Sequence, residues 1–193
     1  GATALHFNLM IGDQIYADDV HSLLRPLVTT LAEELIGRVE AASIDGMKSR
    51  LSSRDVGESR AALLKKALVT SGDRACHCVF LGEFLALYIC AFATARLDEI
   101  VVEPALRRGL GIGNNVQSER EKAQLRAWLD GKRTLRRVFA NVPTYFLPDD
   151  HEVSDDWNIS KVWIDAAQAT SGPQALLGQT LVPAALTAFF LFQ

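Results

Sequence analysis

The first residues of the chain alternate between strongly apolar and more polar positions. Large apolar side chains occupy every second position from residue 5 to Ile11, with His6, Asn8 and Met10 between them. A period of two is typical of a β-strand that has one more apolar face. The pattern predicts a strand over residues 5–11, which ends at Gly12 and Asp13.

A second short apolar run lies near residue 145. Pro143 precedes it, and Pro148, Asp149 and Asp150 follow it. Proline and aspartate punctuate strands in this way, so we predict a strand over residues 144–148 that leads into an acidic turn. Both predicted strands are therefore followed directly by carboxylates.

The residues between the two strands have mainly helical periodicity. Apolar positions three and four residues apart predict a helical middle over residues 20–138, with helices over residues 26–38, 61–69, 79–92 and 118–137. Ser118 and Glu119 have the residue types of a helix N-terminal cap. Glycine and asparagine predict a loop at residues 109–115.

The last part of the chain, residues 160–193, is predicted to be helical. Helices over residues 166–177 and 183–192 would be separated near Gly172 and Pro173. Helix should then exceed strand, and the predicted fold class is α/β in a single domain, residues 1–193. Because the chain starts without Met and would stop inside a helix, we interpret it as an incomplete domain of a longer protein.

Composition and charge restrict the partners. The chain is 49% hydrophobic, and its 20 basic and 23 acidic residues give a net charge of −3 without a block of like charge. Nucleic acid is therefore not a predicted partner. The most apolar stretch, residues 181–192, is shorter than the roughly 20 residues that cross a bilayer, so no membrane span is predicted. The oligomeric state is left open.

Three cysteines lie close together, at Cys76, Cys78 and Cys90. A Cys-x-Cys pair is too tight for an ordinary disulfide, so we predict reduced thiols in a cytoplasmic protein. Cys76, His77 and Cys78 have the residue types of a zinc site, but no second ligand pair follows at zinc-binding spacing. We therefore expect no zinc there.

The first acidic segment, residues 11–19 (Ile-Gly-Asp-Gln-Ile-Tyr-Ala-Asp-Asp), places three carboxylates and a phenol directly after a strand. Carboxylate oxygens bind hard cations, and ferric iron also accepts a phenolate, so Asp13 and Tyr16 are candidate metal ligands. Gly12 would let the backbone approach closely. A surface turn rich in aspartate is the alternative reading.

The second acidic segment has five acids within residues 149–156. Like charges a few Å apart cost on the order of 1 kcal/mol per pair at intermediate dielectric, so a bound cation would explain the cluster. The surrounding charge favours the protonated form of His151, which suits a general acid. An ordinary surface histidine is the alternative.

Three segments in order resemble PhoD-like phosphatases, the alkaline phosphatase D branch of the calcineurin-like metallophosphoesterases. They are residues 11–19, residues 81–88 (Leu-Gly-Glu-Phe-Leu-Ala-Leu-Tyr) and residues 143–158, which contain Pro-Asp-Asp-His-Glu and Asp-Asp-Trp-Asn. The resemblance implies a β sandwich flanked by helices. It also implies metals at strand ends that activate water for attack on a small phosphate ester.

The resemblance also implies roles for individual residues. Asp13 is similar to the family's metal-bridging aspartate, and Tyr16 to the tyrosinate that binds ferric iron. Asp150 stands where related enzymes have a metal-binding asparagine, and His151 matches the catalytic histidine that contacts phosphate. Iron with calcium is the implied metal content, with manganese or zinc as substitutes.

The chain also departs from the family pattern. An upstream Cys or Asp-x-His and downstream histidines are missing, since only His6 precedes Asp13 and no histidine follows Glu152. The expected function is a metal-dependent phosphoesterase, inactive as this isolated segment. A degenerate relative that serves as a non-catalytic binding or interaction module remains the alternative.

Two further groups of acids have expected structural roles. Glu83 is the one charge inside an apolar helix, and a buried carboxylate must be paired or hydrogen-bonded. An arginine partner is expected, and a position at the metal region is the alternative. The remaining acids of the two turns are expected to orient ligands or cap turns rather than bind metal: Asp18, Asp19, Asp149, Asp155 and Asp156.

Overall fold

Helices predominate over strands in the computed structural model, which describes residues 6–43, 50–92, 116–157 and 159–193. The elements are β1 (Asn8–Ile11), α1 (Arg25–Ile36), β2 (Ala41–Ser43), β3 (Arg50–Ser52), α2 (Glu58–Lys66), α3 (Leu81–Phe92), α4 (Val116–Asn141), β4 (Thr144–Leu147), α5 (Lys161–Ala167) and α6 (Val182–Leu191). The fold is mixed α/β and rich in helix, as predicted.

The strands of the described residues form two small sheets. β1 pairs with β4 in parallel, from Asn8 opposite Thr144 to Ile11 opposite Leu147. β2 and β3 pair antiparallel. The strand predicted at residues 144–148 is confirmed, and the one predicted at residues 5–11 begins only at Asn8. The predicted helical middle, residues 20–138, also contains the strands β2 and β3. These strands were not predicted because three residues are too few to show alternation.

The more apolar face of the β1–β4 pair is the exposed one. Leu9 and Ile11 are exposed, and Tyr145 and Leu147 on β4 are exposed beside them. Met10 and Phe146 point the other way and are half-buried. The alternation itself was predicted, but which face packs against the core depends on the helices that lie behind the sheet.

The core centres on α1 and α3, which contact each other closely. At Gly82 a Cβ would lie 2.7 Å from Oε2 of Glu40 and 3.0 Å from the carbonyl oxygen of Ala32, so a side chain there would push α3 away from α1. α1 begins next to Pro26, which suits the first turn of a helix. The helices predicted at residues 26–38 and 79–92 are thus confirmed within two residues at each end.

Two other helix boundaries differ from the predictions. α2 starts at Glu58 rather than residue 61 and ends at Lys66, because Leu68 has a positive φ of 66° that cannot continue a helix. α4 already includes Val116, so Ser118 is not its N-terminal cap. The loop predicted at residues 109–115 lies outside the described residues.

The helix predicted at residues 166–177 is wrong. α5 starts earlier, at Lys161, because Ser160 caps it by accepting from the backbone N–H of Trp163 at 3.1 Å. The chain then turns through Gly172, which has a φ of 75°. Helical structure resumes before the π-helical turn Leu177–Leu181, which leads directly into α6, as predicted for residues 183–192.

The expected partner of Glu83 is not one arginine but two. Its fully buried carboxylate pairs with Arg25 at the start of α1 and with Arg60 of α2. It also accepts the backbone N–H groups of Val79 and Phe80 at 2.7 and 3.1 Å, which caps α3. Burial raises the pKa of Glu83, but the two guanidinium groups outweigh it and hold the pKa below its ordinary value. Glu83 therefore joins three helices in one charged network.

His77 and Cys78 are buried in the core, and the half-buried Cys76 packs against it. His77 is completely buried, and its Nδ1 donates to the carbonyl oxygen of Cys78. Burial raises the pKa of the Cys78 thiol to about 12, and the Cys78 Sγ accepts from Arg25. Cys76 and Cys78 are free thiols, as predicted. Burial also lowers the pKa of His77 to about 3, so this imidazole is a neutral part of the core.

Among the described residues, no helix combines the length and the apolar character that crossing a membrane requires.

Glu83→Gln should lower the free energy of unfolding by about 3–5 kcal/mol, because it leaves two buried guanidinium groups without a counter-charge. Urea unfolding at constant m-value measures this change. The matched control is Glu33→Gln, which removes the carboxylate that pairs with the exposed side chain of Arg54. It should have a much smaller effect. Equal losses in both variants would contradict a central role for Glu83.

His77 should make the protein less stable in mild acid. Its folded pKa of about 3 lies below the ordinary 6.5, so the unfolded chain binds the extra proton as the pH falls through that window. Between pH 7 and pH 5 the parent should lose about 2 kcal/mol more unfolding free energy than His77→Gln. Urea unfolding at both pH values tests this, and parallel losses would contradict it.

Candidate metal centre

The parallel pairing of β1 and β4 brings the two acidic turns together. Ile11 and Leu147 are the last pair of the register, and the N–H of Gly12 donates to the carbonyl oxygen of Leu147 at 2.9 Å. Both strands therefore end on the same side of the sheet. Residues 13–16 and 149–152 therefore face each other, although roughly 130 residues separate them in sequence.

Gly12 permits this close approach. A Cβ at residue 12 would lie 2.3 Å from the Cβ of Asp149, and the φ of Gly12 is 76°. Asp13 also has a positive φ, 54°, which a non-glycine residue adopts at some conformational cost. Strained backbone of this kind is found disproportionately at functional sites.

Glu152 ties the two turns to each other. Its carboxylate is 1% exposed. It accepts the N–H of Asp149 at 2.7 Å from its own turn, and the N–H groups of Asp13, Gln14 and Ile15 from the opposite one. Burial raises the pKa of Glu152, while these N–H groups act in the opposite direction. Its removal would leave four backbone donors without their acceptor.

No role was predicted for Glu152, although a pattern for it is present in the sequence. Asp149 and Glu152 are three residues apart and form a capping box around the 3₁₀ turn Asp150–Glu152. That spacing predicts the local cap. It does not predict the three bonds to the first turn, because these depend on the pairing of distant strands.

All four predicted site residues come together. Ligand atoms of Asp13, Asp150 and His151 lie within 4.8 Å of one another. The hydroxyl of Tyr16 donates to Oδ2 of Asp13 at 3.0 Å, and its ring lies against the imidazole of His151, with 4.3 Å between ring centroids. Asp13 and Tyr16 are exposed, and the other two are partly buried.

Asp18 orients His151, in the role expected for it. It is almost completely buried, and its carboxylate oxygens lie 3.0 Å from Nδ1 of the imidazole. The backbone N–H of Asp155 also donates to Asp18, at 3.0 Å. Because Nδ1 is engaged, Nε2 is the nitrogen of His151 that remains for a ligand.

The charges around His151 favour its protonated form. Burial lowers the pKa of the imidazole, but the hydrogen bond and charge of Asp18, together with Asp13 and Asp150, raise it above the ordinary value. The hydrogen bond to Asp13 and then burial raise the pKa of Tyr16 as well. A phenolate is thus disfavoured until a cation offsets the neighbouring carboxylates.

The other acids of the two turns differ in their surroundings. Asp155 and Asp156 form a second cluster with Asp150 that could hold a cation, and the N–H of Asp156 donates to Oδ2 of Asp150 at 2.9 Å. Asp149 caps the 3₁₀ turn. Asp19 is exposed and lies in the wall of a neighbouring cavity.

That cavity, which we call the Tyr16 cavity, has a volume of about 280 Å³. Tyr16, Asp19 and His21 contribute polar groups to its wall, and Leu87 and Trp128 contribute apolar ones. Nδ1 of His21 accepts the N–H of Leu23 at 3.2 Å. The cavity can therefore hold an uncharged organic group beside Tyr16.

No family model, curated protein or solved structure matches this chain.

Asp18→Asn should lower the pKa of His151 in the metal-free protein, because the variant removes the charge that stabilises the imidazolium. An NMR titration of the histidine ring protons measures the change. Asp19→Asn removes a neighbouring exposed carboxylate and serves as the control. Should both variants shift the pKa of His151 equally, the contact with Asp18 would not be its main cause.

Proposed function

We propose that this chain carries part of the site of a metal-dependent phosphoesterase of the PhoD-like kind, which hydrolyses a small phosphate ester with metal-activated water and is inactive as this isolated segment. One observation carries the proposal: the convergence of Asp13, Asp150 and His151 at the ends of two parallel strands. The contacts of Tyr16 with Asp13 and His151 add a phenol to the same cluster.

The donor set fits a hard or borderline cation. Asp13, Asp150 and the phenol of Tyr16 supply oxygen atoms, and His151 lies beside them as a proton donor rather than as a ligand. Four ligands complete a zinc site, whereas calcium and manganese prefer oxygen, and a phenolate suits ferric iron. Iron with calcium is the proposed metal content, with manganese or zinc as substitutes.

The proposed roles of the protein groups follow from their contacts. Asp13, Tyr16 and Asp150 would hold the cation, which when bound would supply an activated water and offset charge on the phosphate. His151 would act as the catalytic acid. Its raised pKa keeps a proton available near neutral pH for the departing oxygen, while Asp18 and the ring of Tyr16 fix the orientation of the imidazole.

The substrate would extend from the phosphate into the Tyr16 cavity. Tyr16 belongs both to the metal cluster and to the wall of that cavity, so the organic part of the ester would lie against Leu87 and Trp128. A small-molecule ester is therefore the proposed partner.

The proposal includes a β sandwich flanked by helices. β1 and β4 would belong to one of its sheets, and their exposed apolar side chains would lie against the second sheet, because facing sheets bury such a surface between them.

Asp13→Asn and His151→Ala should each reduce hydrolysis of a chromogenic aryl phosphate by at least about 10²-fold, since one removes a metal ligand and the other the proton donor. Steady-state kinetics of the full-length protein after loading with each candidate metal measure this, alongside metal analysis, because the isolated segment is expected to be inactive. In iron-loaded protein, Tyr16→Phe should abolish the visible iron–phenolate absorption.

Asp165→Asn is the control for these variants, because it removes an exposed carboxylate that pairs with Lys161 in α5. It should leave both the rate and the metal content unchanged. Near-parental rates in Asp13→Asn and His151→Ala would refute the assignment. Metal binding without hydrolysis by the parent would favour the non-catalytic alternative.

A further inference from the structure

A loop that follows α2 contacts both acidic segments. It comprises residues 68–74, and we call it the Thr70 loop. The chain turns away from α2 at Leu68, which has a φ of 66°. Arg74 closes the loop by donating to the carbonyl oxygens of Val69 and Thr70 at 2.7 and 3.3 Å. Because the side chain of Val69 is buried, the loop is anchored to the core.

The Thr70 loop reaches each acidic segment through one hydroxyl group. The buried hydroxyl of Ser71 donates to the backbone carbonyl oxygen of Asp18 at 3.0 Å. The hydroxyl of Thr70 donates to the carbonyl oxygen of Asp155 and lies 3.3 Å from the hydroxyl of Ser154. Two adjacent residues of the loop therefore hold Asp18 and Asp155, which lie 137 positions apart in the sequence.

These contacts close a ring of hydrogen bonds. The backbone N–H of Asp155 donates to the carboxylate of Asp18 at 3.0 Å, so each of these two residues is bonded both to the other and to the loop. The same carboxylate lies 3.0 Å from Nδ1 of His151. A bond within a ring is harder to displace than a single bond, because moving one member disturbs the others. The Thr70 loop thus constrains the carboxylate that orients His151.

We infer that Thr70 and Ser71 are positioning residues for His151. Their hydroxyl groups hold the backbone of Asp18 and Asp155, and the effect reaches the imidazole through the carboxylate of Asp18. A proton donor must lie at hydrogen-bond distance from the departing oxygen, so a small displacement of the imidazole lowers the rate steeply. The catalytic part of this inference rests on the proposed function, whereas its structural part rests on the contacts alone.

The structural part is tested by NMR on the metal-free chain. The Nδ1–H of His151 donates to a buried carboxylate, so it should give a downfield proton resonance that exchanges slowly with water. Its absence in His151→Ala assigns it. Thr70→Val removes one hydroxyl at nearly constant size and should accelerate the exchange about three- to tenfold.

Two variants control for other effects of Thr70→Val. Thr70→Ser keeps the hydroxyl and should restore the exchange rate of the parent. Thr30→Val is the same substitution in α1, where it removes an exposed hydroxyl that donates to the carbonyl oxygen of Pro26 at 3.0 Å. It should leave the His151 resonance unchanged.

The catalytic part is tested by kinetics of the metal-loaded, full-length protein with the chromogenic aryl phosphate. Thr70→Val should lower kcat about three- to tenfold at unchanged KM, because the proposed contacts of the organic group lie in the Tyr16 cavity. Thr70→Ser should again match the parent. In the His151→Ala background, Thr70→Val should change kcat less than about twofold, because the residue through which it acts is then missing.

The two parts can fail separately. Absence of the downfield resonance from the parent, or an unchanged exchange rate in Thr70→Val, would overturn the inference. Equal losses of kcat with and without His151 would overturn it as well. A full-length parent that hydrolyses no phosphate ester, with accelerated exchange in Thr70→Val, would refute the proposed function but support the positioning role. If Thr70→Val does not fold, Ser71→Ala breaks the other contact of the ring and is judged by the same criteria.

Discussion

One buried carboxylate holds the candidate site in shape. Glu152 accepts backbone N–H groups from both acidic turns, and these bonds act at the point where the turns leave the β1–β4 pair. Backbone donors that are buried need acceptors, and a charged acceptor binds them more strongly than a neutral one. Glu152 thereby fixes the positions of Asp13 and Asp150. A residue that is not itself a candidate metal ligand therefore determines how far apart the candidate metal ligands lie.

A similar arrangement organises the helical part of the molecule. Glu83 compensates Arg25 and Arg60 and caps α3 at the same time. Both glutamates are buried carboxylates that accept a backbone N–H where a helical segment begins, and Glu152 also accepts three N–H groups from the opposite turn. Glu83 supports the core, and Glu152 supports the candidate metal centre. A buried charge is costly unless its hydrogen bonds are satisfied, so each carboxylate favours the one geometry in which its partners are in place.

The candidate metal centre and the cavity beside it differ in chemical character. The acidic turns offer oxygen ligands to a cation, while the wall of the Tyr16 cavity beside them is mostly apolar. Gln14 belongs to that wall, and its backbone N–H donates to Glu152. A cation and an uncharged organic group can thus lie near the same turn, where Tyr16 would contact both.

The sequence by itself determined the local structure: the two strands, most of the helices, the acidic turns and the residue types of the candidate site. These follow from short-range periodicity and from turn residues such as Gly12. Only the tertiary structure decided which strands pair, which face of β1 is buried, and that Glu152 and Asp18 hold Asp13 and His151 in place. The helix predicted at residues 166–177 failed for a local reason, because Ser160 caps a helix that begins earlier and Gly172, with a φ of 75°, turns the chain within the predicted span. Long-range pairing depends on the whole core, and no short window of sequence contains it.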